Sequence, residues 1–132
     1  MNKMNYTNEE LYAIANKARE DSYCPYSNYS VGAALVTASG KIYLGANIEN
    51  AAYSPTVCAE RVAFFKAINE GEREFTAIAV AGGKKGEEPS RFPPCGVCRQ
   101  VMREFCKDDF LIIISPENAL TLAEILPASF SL

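Results

Sequence analysis

Histidine does not occur anywhere in the 132-residue sequence. Its absence removes every catalytic triad or dyad built on imidazole and every metal site with a histidine ligand. Long apolar runs are missing too: nowhere do eighteen apolar residues follow one another, so no membrane-spanning helix is expected. Met1 to Glu10 alternates polar and charged residues without the apolar stretch of a signal peptide. A soluble, cytoplasmic protein is the expectation. Clustered positive charge is scarce as well. The formal net charge is −3, the isoelectric point is about 5.0, and Lys84-Lys85 is the only adjacent basic pair. A surface for nucleic acid or another polyanion is therefore not expected. What remains for chemistry is carboxylates, thiols or a metal.

The thiols are present in a suggestive order. Five cysteines are an odd number, and without a secretory signal the Cys95-Gly96-Val97-Cys98 spacing points to reduced sulfur and metal or redox chemistry. Thr56-Val57-Cys58-Ala59-Glu60-Arg61 places a thiol two positions before a carboxylate at the start of an expected helix. Pro94-Cys95-Gly96-Val97-Cys98-Arg99-Gln100 opens a second. Positions i and i+3 share a helix face, so Cys95 and Cys98 can share one ion. With Cys58 they form a three-sulfur zinc site with one vertex open, and Glu60 beside that vertex would carry protons. Both helix N-termini would lower the thiol pKa values and offset the net −1 of Zn²⁺ with three thiolates. Arg61 and Arg99 offer further donors to the same sulfurs.

Plainer readings stand beside this one. Cys24 can close the site as a fourth ligand, making it structural, whereas Cys106 lies eight helical residues beyond Cys98, roughly 12 Å away. A redox Cys-x-x-Cys would leave Cys58 and Glu60 unexplained. Glu60 can simply complement a helix dipole. Tyr29, Tyr53 and Phe130 read as core or surface aromatics, and Asn47 and Glu49 as polar loop residues.

The remaining pattern is that of a single domain over 1–132. Thr7 to Glu10 has capping-box form and starts a helix expected to run to about Tyr23. Val31 to Val36 and Ile42 to Leu44 form a hairpin around Ala38 to Lys41. Gly45 to Pro55 is a polar loop, followed by a helix from Cys58 to about Glu70 with Gly71 as its stop. Phe75 to Ala81 is a buried strand, and Gly82 to Ser90 has no regular structure. A helix after Pro93-Pro94 precedes Phe110 to Ile114, a strand covered on both faces. Thr121 caps a last short helix ending at Leu126-Pro127. This order gives a three-layer α/β/α domain around one mixed, roughly five-stranded sheet.

The chain resembles the cytidine deaminase family, of the small homotetrameric kind with three cysteine ligands. The resemblance is carried by Pro25-Tyr26-Ser27 with Val31 to Leu35, by Asn47-Ile48-Glu49-Asn50-Ala51-Ala52-Tyr53, by Cys58-Ala59-Glu60-Arg61, by Pro94 to Gln100, and by Leu126-Pro127 with Phe130. It covers nearly the whole chain, and the metal motif is that of the zinc deaminases. The resemblance implies one Zn²⁺ per subunit on Cys58, Cys95 and Cys98, with Glu60 as base and then acid. It implies ribose contacts from Asn47 and Glu49, reading of the base near Asn50, Ala51 and Ala59, and an aromatic over the base at Tyr29, where the family usually has phenylalanine. Tyr53 and Phe130 would reach a neighbouring subunit's site. It also implies a fifth strand within Asn118 to Leu122. The implied reaction is hydrolytic deamination of cytidine and deoxycytidine in pyrimidine salvage. A deaminase of cytosine-containing antibiotics and a non-catalytic zinc-stabilised module are the rival readings.

Overall fold

The computed structural model describes residues 6–132, and the first part of the polar opening lies outside the described residues. The chain forms α1 (Asn8–Ala18), a 3₁₀ turn (Arg19–Asp21), β1 (Tyr29–Thr37), β2 (Ile42–Ala46), α2 (Ala59–Asn69), β3 (Phe75–Lys84), α3 (Gly96–Phe105), β4 (Leu111–Ser115), β5 (Asn118–Thr121) and α4 (Leu122–Ile125). The strands make one mixed sheet in the order β2-β1-β3-β4-β5. Only β3 and β4 are parallel, and α3 lies in the crossover between them. This is the three-layer α/β arrangement the sequence pattern implies.

Thr7 caps α1 reciprocally: its hydroxyl accepts from the Glu10 amide at 3.0 Å, and its own amide donates to the Glu10 carboxylate at 2.8 Å. The helix stops at Ala18, short of Tyr23, because downstream backbone is needed elsewhere. The Tyr23 amide donates to the Asn47 carbonyl at 2.9 Å, and its carbonyl accepts from Glu49 at 2.8 Å. Arg19, buried at the turn, donates through Nε to the Ser30 carbonyl and through its terminal nitrogens to Asn16 Oδ1 and the carbonyls of Glu87 and Lys84. Those bonds fasten the 84–87 turn to the first helix.

A second departure lies at the end of β3. Gly82, Gly83 and Lys84 continue the strand, paired with Val31, Ser30 and Tyr29, although glycine-rich sequence there suggested irregular chain. Glycine serves the packing: a Cβ on Gly82 would lie 2.8 Å from Cγ of Phe92, so the ring sits directly on bare backbone.

The two sheet faces bury separate clusters. Ala34, Val36, Ala77, Ala79 and Ile113 pack on Leu11, Tyr12 and Ala15 of α1. Ala33, Leu35, Ile78, Val80, Ile112 and Ile114 pack on Phe64, Ala63, Met102 and Leu122. Alternation along β1 and β4 thus divides their side chains between the layers. Helix α2 rides close to β2, because a Cβ on Gly45 would stand 2.2 Å from the Ala59 carbonyl oxygen and 2.7 Å from the Ala63 nitrogen.

Gly45→Ala should therefore push α2 off the sheet and cost about 1–3 kcal/mol of unfolding free energy by overpacking. Urea denaturation measures this, and an unchanged midpoint would contradict the close approach.

Candidate metal centre

Cys58 is the N-cap of α2 and Cys95 the N-cap of α3, both with extended backbone, while Cys98 falls in the first turn of α3. The sheet brings these helix starts to one place. Cys58 and Cys95 sulfurs are 3.7 Å apart, those of Cys95 and Cys98 3.4 Å apart, and all three lie within 4.8 Å of one another. Sulfurs at about 2.3 Å from a tetrahedral zinc stand roughly 3.8 Å from each other, so the trio fits such an ion. The Cys98 amide also donates to the Cys95 sulfur at 3.5 Å. Among the described residues this is the only group of three or more candidate ligands so close together.

Cys24 does not join them. It is buried apart, accepting from the Ser22 hydroxyl at 3.2 Å, which leaves the fourth vertex without a cysteine. Cys106 is also remote, at the C-cap of α3. Burial pushes its thiol up to about 12.

Arg61 donates to the Cys58 sulfur at 3.6 Å, as a donor near the thiolates should. Arg99 does not reach a sulfur. Its Nε donates to the Pro94 carbonyl at 2.8 Å and a terminal nitrogen to the Ile125 carbonyl at 2.9 Å, because the end of α4 offers an acceptor that spacing along the chain does not reveal. Arg99 thereby ties the Pro94–Cys95 turn to the C-terminal helix.

Hydrogen bonding from Cys98 first, then from Arg61 and Cys95, holds the Cys58 thiol down to about 5 against the effect of burial. Cys98 is pushed up by the same bond to Cys58, so negative charge concentrates on Cys58. Glu60, in the first turn of α2, is 3% exposed. Burial pushes its carboxyl up to about 7. Its own backbone amide works against this, the negative charge of Cys58 adds to it, and Arg61 opposes it.

Above these groups opens a cavity of about 470 Å³, lined by Tyr29, Asn47, Glu49, Cys58, Ala59, Glu60 and Cys95, and also by Ser27, Val31, Thr56, Val57, Phe92 and Pro93. The latter six were not assigned to the site from sequence, although Ser27, Val31, Thr56, Val57 and Pro93 stand in or beside its motifs. Phe92 had a signal in its place next to the Pro-Pro entry to α3, but its position over Gly82 comes from the sheet. Asn47 clamps β1 with its amide, Oδ1 accepting from the Val31 amide and Nδ2 donating to the Tyr29 carbonyl, both at 2.9 Å. That leaves one N–H and one lone pair for a ligand. Glu49 accepts from the Tyr26 and Ser27 amides and the Ser27 hydroxyl, and the Ser27 hydroxyl first of all holds its carboxyl below the usual range.

Asn50 and Tyr53 border an adjoining recess with Tyr26 and Thr56. Ala51 lies on an exposed turn. Tyr53 is 72% exposed, has φ 63°, and meets Tyr26 edge-on at 6.3 Å. Phe130 is 67% exposed, its carbonyl accepting from Gln100 at 3.0 Å. Neither ring lines the cavity of its own chain.

The family described as "Cytidine and deoxycytidylate deaminase zinc-binding region" matches residues 5–114. The chain is 47% identical over 127 residues to a cytidine deaminase of Sporosarcina psychrophila, covering 93% of this chain and 90% of that one. It is 40% identical over 128 residues to a probable cytidine deaminase of Dictyostelium discoideum, covering 93% and 83%. The crystal structure of cytidine deaminase from Burkholderia pseudomallei superposes with a TM-score of 0.85 at 43% identity, over 95% of this chain and all of that one. The Mycobacterium tuberculosis cytidine deaminase structure gives 0.82 at 34% identity, over 92% and 95%.

Replacing Cys58, Cys95 or Cys98 by serine should abolish stoichiometric zinc, while Cys24→Ser should retain one zinc per chain. Elemental analysis of the purified variants decides, and zinc loss in the Cys24 variant would restore the closed four-cysteine site.

Proposed function

We propose, on the premise that this chain belongs to the cytidine and deoxycytidylate deaminase zinc-binding family, that its cavity hydrolyses cytidine and deoxycytidine to uridine and deoxyuridine with release of ammonia. The observation that carries this reading is a buried carboxyl, Glu60, beside three convergent sulfurs at the floor of a cavity whose wall bears an anionic Glu49. We assign the metal to Cys58, Cys95 and Cys98. Zinc held there supplies Lewis acidity that makes water ionisable near neutral pH.

Glu60 takes a proton from the attacking water and places it on N3 of the pyrimidine while the water oxygen adds to C4. The same carboxyl then takes the second proton, from the hydroxyl now on C4, and passes it to the amine, which departs as ammonia and leaves a carbonyl at C4. A group serving as base and acid in turn is best poised near neutrality, and burial moves Glu60 that way. Arg61 beside Cys58 offsets part of the excess negative charge of three thiolates around a dication.

At the other end of the cavity Glu49 accepts a sugar hydroxyl, and the remaining N–H of Asn47 supports it. A fixed carboxylate there disfavours a phosphate on the same sugar, so free nucleosides are the substrates. Tyr29 lies against the base, whose polar edge meets backbone near Asn50, Ala51 and Ala59. Tyr53 and Phe130, which do not line their own cavity, complete that of another copy. Leu44, Ile48 and Phe65 are each more than a third exposed, surface suited to subunit contacts. We read the protein as a single-domain cytoplasmic homotetramer with shared sites, acting in pyrimidine nucleoside salvage. No helix among the described residues is long and apolar enough to cross a membrane.

Glu60→Gln should retain zinc and lower cytidine turnover by at least the ~10²–10⁴-fold that positioned proton transfer contributes; near-wild-type absorbance decay would remove Glu60 from the reaction. Blasticidin S assayed in parallel separates nucleoside from antibiotic deamination. Shared sites predict that Phe130→Ala, itself impaired, regains activity when co-assembled with inactive Glu60→Gln, because some cavities then receive an intact set. Absence of recovery in mixed assemblies would refute sharing.

A further inference from the structure

The loop at 25–28 enters α/β structure through a serine whose hydroxyl has two partners. It donates to Glu49 Oε2 and accepts from the Tyr29 amide at 3.0 Å. The amides of Tyr26 and Ser27 both donate to Glu49 Oε1, at 2.9 and 3.1 Å. A carboxylate offers about four lone-pair sites, so three are occupied and one remains, on Oε2, the oxygen held by the Ser27 hydroxyl. The loop itself is fixed: the Asn28 amide donates to the Cys24 carbonyl at 3.0 Å, the Asn28 carbonyl accepts from Lys85 at 2.9 Å, and Asn28 takes φ 61°. Asparagine tolerates that left-handed turn well, and it follows directly on the two amides that meet the same Glu49 oxygen.

We propose that Ser27 is a positioning residue for substrate selection: it fixes the rotamer of Glu49 and couples the sugar end of the cavity to Tyr29 at the base end. The inference rests on the reading of Glu49 as the acceptor of a sugar hydroxyl. A long, flexible glutamate on a polar loop would otherwise sample several rotamers, and each held rotamer is entropy already lost before the nucleoside arrives. The geometry is also selective in sign, since an ionised carboxylate only accepts and so recognises a hydroxyl on the ligand.

Five forms of the zinc-loaded protein test this, each assayed with cytidine and with 2′,3′-dideoxycytidine: wild type, Ser27→Ala, Ser27→Thr, Glu49→Ala and the double variant carrying Ser27→Ala and Glu49→Ala. The quantity read is the ratio of kcat/KM for the two nucleosides. In Ser27→Ala the ratio should fall about five- to tenfold, the effect of losing one ordinary hydrogen bond, and the fall should appear in KM for cytidine. Ser27→Thr, which keeps the hydroxyl, should hold the wild-type ratio. In a Glu49→Ala background the Ser27→Ala change should leave the ratio as it stands. An unchanged ratio in Ser27→Ala, with both substrates weakened alike, would show a purely structural serine and overturn the proposal. A Glu49→Ala variant that keeps the wild-type ratio would instead overturn the sugar-binding reading beneath it.

Discussion

Everything chemical in this molecule depends on two helix N-termini being brought to one point. Each helix begins at a cysteine, so the chain crosses from extended to helical backbone where a sulfur is attached. Partial positive charge at those ends favours thiolate there. Convergence itself is set by the sheet: α2 settles onto β2 because Gly45 has no side chain to hold it off, and α3 is placed by the crossover between the parallel strands β3 and β4. Three sulfurs from two remote segments then stand a few ångströms apart.

That convergence creates an electrostatic problem that the neighbouring residues resolve. Three thiols crowded beside a buried carboxyl make every added negative charge there costly. Arg61 lies against Cys58 on the same first turn, and the carboxyl of Glu60 is driven toward its neutral form by burial. The same burial that makes Glu60 costly as an anion makes it serviceable as a proton carrier. A more exposed carboxylate at the cavity, Glu49, is treated in the opposite way: three donors hold it ionised. The two acids of one cavity are thus separated in behaviour by their surroundings alone.

The wall between them is built from β1 and the segment after β2. Asn47 joins these by bonding both Tyr29 and Val31 backbone, and the bridge from Tyr23 to the same segment is what ends the first helix early. Phe92, seated on Gly82, adds to the cavity wall, while Arg19 fastens the turn that follows β3. The strained backbone at Tyr53 holds an exposed ring outside the cavity lining, an arrangement whose cost is of order 1–3 kcal/mol.

Local rules made much of this visible in advance. The capping boxes at Thr7 and Thr121, the hairpin at Ser39-Gly40, the apolar run at 111–114 and the Cys-x-x-Cys on a helix start depend on neighbours a few residues apart, so the sequence states them directly. The sequence by itself also determined which chemistry was open, since a chain with thiols and carboxylates but no imidazole has few ways to activate water. Tertiary structure alone decided that Cys58 meets Cys95 and Cys98 while Cys24 stays away, that Arg61 reaches sulfur while Arg99 turns to Ile125, and that Phe92 lies over Gly82 in the cavity wall. Those outcomes depend on strand order and on how closely each helix can approach the sheet, distances set by packing across the whole domain and not by spacing along the chain.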